Sequence, residues 1–213
     1  MHIQVWSDVV CPWCYLGKIR LEKAIASFEG DVTVTYRAYQ LDPSPVPWPM
    51  PIKEAMAAKV GGRERAEEML AHVTSIAAGD GIRLDYDRAV AANTFDSHRL
   101  IAWAAGQERQ ADMLAALQRA YFVDGADIGS RPILAAVAGS IGLDRDAALA
   151  YLKSEAGRDA VDTDLAEARE LGITSVPSFV IDGKYAVQGA QEPAALLAAL
   201  EEIARREAVD IDR

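Results

Sequence analysis

The sequence predicts an α/β protein in which two separated stretches of chain complete one sheet, with a large all-helical block inserted between them. Three observations carry this. The first forty residues read as strand, helix, strand; Ile52 to about Gly157 is dominated by helix formers; and a helix, a tight hairpin and a last helix follow. At 213 residues, 51% hydrophobic and 25% charged, the chain has enough apolar material for a substantial core.

His2 to Ser7 alternates around Ile3, Val5 and Trp6, as a half-buried strand does. From Tyr15 the period changes: Leu16, Ile19, Leu21, Ile25 and Phe28 recur at helical spacing with charged residues between them, and Gly30 marks the stop. Val32 to Leu41 is rich in β-branched and aromatic residues, so a second strand follows, parallel to the first. Proline at 43, 45, 47, 49 and 51 then forbids helix and favours a stiff, extended connection.

The block from Ile52 to about Gly157 is expected to be helical almost throughout, with breaks at Gly61-Gly62, Gly79-Asp80-Gly81, Gly125 and Gly142. Ser130, ahead of Arg131-Pro132, and Asp144 fit helix N-caps. Trp103, Met113, Leu114, Leu117, Tyr121 and Phe122 read as its packing core. A helix over Arg158 to Leu171 closes at Gly172. Thr174 to Val187 then reads as a hairpin turning at Asp182-Gly183, and Leu196, Leu197, Leu200 and Ile203 line one face of a last helix. Residues 1–51 and 158–213 are therefore expected to form one discontinuous domain, and 52–157 an inserted helical domain.

Charge and composition exclude several classes. A net charge of −10 opposes binding to a phosphate backbone, so no nucleic-acid partner is expected. Every Ala-rich stretch carries charges and none reaches a membrane-spanning length, so no membrane partner is expected either. Met1 to Val10 reads directly as a strand and not as a signal segment, which points to a cytoplasmic protein. With only two cysteines, a disulfide scaffold is ruled out.

Those two, Cys11 and Cys14, stand where the first strand runs into its helix. Residues three apart on a helix share a face, and modest adjustment brings them within disulfide range, so the spacing permits reversible oxidation. Unpaired N–H groups of the first helical turn favour a thiolate, which assigns Cys11 as nucleophile. Cys14, one turn inside, is expected to be more buried and to resolve a mixed disulfide. Pro12 suits the first turn, and Trp13 is placed at the substrate surface. A zinc site needs about four ligands, and with His2, His72 and His98 the only histidines, no metal is expected.

SDVVCPWCYLG at Ser7 to Gly17, together with SVPSFVIDGKYAVQGAQ at Ser175 to Gln191, resembles the DsbA-like branch of the thioredoxin superfamily, nearest to FrnE-type oxidoreductases. The likeness runs over essentially the whole chain. It implies a thioredoxin fold with a large all-helical insertion, and protein-disulfide oxidoreductase or isomerase activity on protein or peptide disulfides. It also implies a cis Pro177 lying against the cysteines, so that the backbone of Val176 pairs with an extended substrate. No cofactor is implied, although glutathione could serve as co-substrate. Three departures are visible. Val5 stands where many relatives carry a buried acid, with Asp8 nearer the motif. Trp13 brings no positive charge to the thiolate, which predicts a weaker oxidant than proteins with histidine there. No second cysteine pair follows.

Kappa-class glutathione transferases and 2-hydroxychromene-2-carboxylate isomerases are similar in architecture and supply the alternative, a glutathione-dependent isomerase or transferase; those generally place serine where Cys11 stands. Asn93 to Arg99 is similar to an insert segment facing the active site in the same family. A lone helical histidine is more often structural, however, and His98 is kept outside the catalytic set.

Overall fold

The computed structural model describes residues 1–46 and 48–211, side chains to 208. Along the chain lie β1 (His2–Ser7), α1 (Pro12–Ser27), β2 (Thr33–Ala38), α2 (Ile52–Val60), α3 (Arg63–Gly79), α4 (Phe95–Ala105) and α5 (Gln110–Phe122). They are followed by α6 (Arg131–Ser140), α7 (Arg145–Lys153), α8 (Arg158–Glu170), β3 (Ser178–Ile181), β4 (Tyr185–Gln188) and α9 (Pro193–Ile211).

The sheet has the order β2-β1-β3-β4, with β1 parallel to β2 and antiparallel to β3. Val5, at its centre, lies opposite Tyr36 on one side and Phe179 on the other. Strand periodicity divides the two faces: Ile3 and Val5 join the main core with Leu16, Leu21, Leu196 and Leu200, while Trp6 turns to Ala168 and Ile173. The Trp6 indole Nε1 donates to the Asp164 carbonyl of α8, 3.2 Å away, which satisfies its one polar atom. β2 is an edge strand, and side chains close it. The Gln110 amide donates to the Tyr36 carbonyl and accepts from its N–H, each at 3.0 Å, and Asp164 accepts from the Ala38 N–H at 2.9 Å. Asp182 and Gly183 take left-handed backbone at the turn between β3 and β4, as the Asp-Gly pair predicts.

Ile52 to Lys153 carries α2 to α7 and adds no strand to this sheet. The helical expectation is corrected over 80–94, where no helix forms. Backbone groups there are claimed from outside: Phe122 O accepts from Asp85 N–H at 2.7 Å, Met50 O accepts from Ala91 N–H at 2.7 Å, and Pro51 bridges antiparallel to Val90. The proline-rich connection is thus partly paired; its Pro47 lies outside the described residues. Asp144 caps α7 through bonds from the N–H groups of Asp146 and Ala147, whereas Ser130 occupies the cap position of α6 without a side-chain bond.

Candidate redox site

β1 ends at Ser7, and three residues turn the chain into α1. Cys11 is the N-cap residue, with extended backbone (φ −86°, ψ 115°), and Pro12 is the first helical residue. The Cys11 carbonyl accepts from Cys14 N–H at 3.0 Å and from Tyr15 N–H at 3.2 Å, while Cys11 N–H donates to Asp8 O at 3.1 Å. Both thiols are free and both are buried, Cys11 with 4% of its surface exposed and Cys14 with 2%, so the expected difference between them is small.

Their ionisation differs more than their exposure. The Cys14 thiol donates a hydrogen bond to the Cys11 sulfur and holds Cys11 below the ordinary thiol range. Burial and the charge of Asp8 oppose this, and the backbone N–H groups of Cys14 and Trp13 assist it. Cys14 is pushed well above that range, first by burial and then by the same hydrogen bond and the negative charge on Cys11. Cys11 is therefore the first of the two to give up a proton, and Cys14 the one that keeps it.

The second motif meets the first. Val176-Pro177 is a cis peptide, and the Val176 carbonyl lies 3.9 Å from Cys11 Sγ, within reach of its S–H in the thiol form. Gly17, one turn beyond Cys14, makes the approach feasible: a Cβ there would sit 2.7 Å from Pro177 Cγ. The structure thus brings Cys11, Cys14, Pro12, Val176 and Pro177 to one place. Trp13 is 37% exposed beside them, its ring 6.5 Å from that of His72 on α3. Sequence reasoning gave Gly17 no role. A glycine inside a helix pattern costs about 1 kcal/mol relative to alanine, and that cost was the available signal.

Asp8 and His98 gain a role as neighbours. Asp8 is buried; its Oδ2 accepts from Leu41 N–H at 2.8 Å, and its Oδ1 has no hydrogen-bond partner but lies 3.4 Å from His98 Nε2. The same ring nitrogen is 2.9 Å from Tyr39 O. With two oxygens facing it, Nε2 carries a hydrogen. His98 of α4 is thereby fastened to the segment after β2, with its ring beside the turn that presents Cys11. Among the described residues, no group of three or more His, Cys, Asp or Glu is placed to hold a metal, and no helix is long and apolar enough to cross a membrane.

Comparison with known proteins adds independent findings. The family model described as a DSBA-like thioredoxin domain matches residues 2–201. The crystal structure of a probable DsbA oxidoreductase from Streptomyces coelicolor is 35% identical, with a TM-score of 0.89 over 95% of this chain and 89% of that one. The uncharacterized protein YwbO of Bacillus subtilis is 28% identical over 205 residues, covering 89% of this chain and 90% of its own length. The cytosolic disulfide reductase DsbM from Pseudomonas aeruginosa, solved with glutathione, is 23% identical. It has a TM-score of 0.65 over 96% of this chain and 100% of that one, a likeness of fold.

Proposed function

Since the chain belongs to the family of DSBA-like thioredoxin domains, we propose that it exchanges disulfides with protein or peptide substrates through Cys11 and Cys14. The observation that carries the reading is the meeting of two motifs 165 residues apart: Cys11 Sγ at the N-cap of α1, 3.9 Å from the Val176 carbonyl.

The Cys11 thiolate attacks one sulfur of the substrate disulfide; a mixed disulfide forms, and the other substrate sulfur leaves as a thiolate and takes a proton. Cys14 then gives up its proton and attacks Cys11 Sγ. The mixed disulfide breaks, the second substrate thiol departs, and Cys11–Cys14 is oxidised. Two electrons pass to the substrate, with one proton from Cys14 and one from solvent. Run in reverse, the same steps oxidise a substrate dithiol. Once Cys11 is held in the mixed disulfide, its negative charge and its hold on the Cys14 proton are gone, two of the causes that raise Cys14 at rest.

Two thiols of glutathione can return the pair to the dithiol, yielding glutathione disulfide. The glutathione complex of DsbM, a protein of the same fold, supports glutathione as the electron donor, and its cytosolic setting supports a cytoplasmic location here. A glutathione-dependent isomerase or transferase is the weaker reading, because a cysteine and not a serine stands at position 11.

Turnover of insulin or a peptide disulfide with glutathione as reductant tests the proposal. Cys11→Ser is expected to abolish it, and Cys14→Ser to accumulate a mixed disulfide detectable by mass. Undiminished turnover by Cys11→Ser would overturn the assignment.

A further inference from the structure

Val10, the residue before Cys11, forms part of the wall of a cavity of about 250 Å³. The remaining wall is mostly apolar: Leu41 and Val46 from the extended connection, Met56 from α2, and the ring of Tyr86. Its charged lining residues, Asp42 and Lys59, are paired with each other and so offer no free counter-ion to a charged ligand. Three features mark the space as a site and not a packing fault.

First, α2 has no fully buried residue. Its apolar side, Ile52, Ala55 and Met56, is only half-buried and faces this space, so an occupant would complete the packing that the chain leaves undone. Second, Tyr86 retains only 8% of its surface, yet its hydroxyl has no hydrogen-bond partner. A buried hydroxyl left unpaired is costly, and a small shift on binding that brought a carbonyl of the bound peptide to it would offset that cost. Third, the site adjoins the chemistry: Val10 in its wall directly precedes Cys11, and Tyr86 holds its proton tightly through burial first, then Tyr121, then the negative charge of Cys11.

Volume and lining select the occupant. An apolar cavity of about 150 Å³ accepts benzene, so this larger one has room for a substituted ring. Tyr86 and the Met56 thioether both make favourable contacts with an aromatic ring. We propose that the cavity receives an aromatic side chain of the substrate, close in sequence to its reacting half-cystine. The inference rests on the disulfide-exchange reading and adds the substrate class.

Two cyclic peptide disulfides that differ only in phenylalanine or alanine beside one cysteine form the probe. Wild-type protein is expected to reduce the phenylalanine peptide with a kcat/KM about tenfold higher or more, as burial of a large apolar group implies. Ala55→Trp, which fills the cavity from α2, should bring the ratio close to one, and Ala55→Leu should lower it part-way. Ala58→Trp, on the exposed side of the same helix, should keep it. Equal kcat/KM for the two peptides with wild-type protein would overturn the inference, as would full preference in Ala55→Trp. Failure to reduce either peptide would instead refute the exchange reaction itself, and this inference with it.

Discussion

At the residue scale, the two thiols differ in how tightly each holds its proton. Cys11 is low because Cys14 donates to it, and Cys14 is high because it is buried and keeps that proton. Removing the donor must therefore raise Cys11. In Cys14→Ala, the alkylation rate of Cys11 by iodoacetamide is expected to reach half its maximum at a higher pH than in wild type, with slower labelling at neutral pH. An unchanged or lowered midpoint would assign the depression to the helix tip alone. The spacing of Cys11 and Cys14 was legible in the sequence because three residues along one helix fix their geometry locally. Gly17 against Pro177 and Asp8 against His98 were not, since each contact joins elements far apart in the chain and nothing local encodes the meeting.

At the scale of the element, Arg99 shows how a charge can end a helix that is not its own. It lies on α4 with no exposed surface. Its guanidinium donates to the carbonyls of Tyr151, Leu152, Ser154 and Ala156 at the end of α7 and beyond, at 2.7 to 3.2 Å, and to Asp96 Oδ1 at 2.6 Å. These are the orphan carbonyls that a helix C-terminus leaves, gathered by a planar fork. Arg99→Lys keeps the charge but loses the fork; by chemical denaturation it should cost at least about 2 kcal/mol, and Arg99→Leu about 3 to 5 kcal/mol. A cost below about 1 kcal/mol for Arg99→Leu would show that α7 ends without this clamp. In the sequence, Arg99 stands out only as the end of the Asn93 to Arg99 segment and not as a clamp on α7, because its partners there are backbone atoms and leave no signature. Residues 80–94 depart from the helical expectation for a related reason: their alanine, leucine and arginine suit a helix, but the bonds to Met50 and Phe122 decide the backbone.

For the molecule as a whole, the element order was readable because strand and helix periods change cleanly at glycine and proline. The division into 1–51 with 158–213 and 52–157 is a proposal about folding units, and the core bears on it. One continuous apolar cluster runs from Ile3 and Val5 through Leu70 and Leu100 to Leu134 and Leu152. We expect thermal unfolding as a single transition, with far-ultraviolet and near-ultraviolet dichroism coincident and calorimetric and van't Hoff enthalpies equal. Two resolved transitions would show that the insert melts as a separate body. The sheet order carries a last consequence, for synthesis on the ribosome. β1 lies between β2 and β3, and some 170 residues of chain separate β1 from β3. At about 5 to 20 residues per second, roughly ten to thirty seconds pass with one side of β1 unzipped, while both cysteines are already outside the exit tunnel. In that interval Cys11 lacks the Val176 carbonyl that later lies beside it, and the nascent thiols depend on their surroundings to stay reduced.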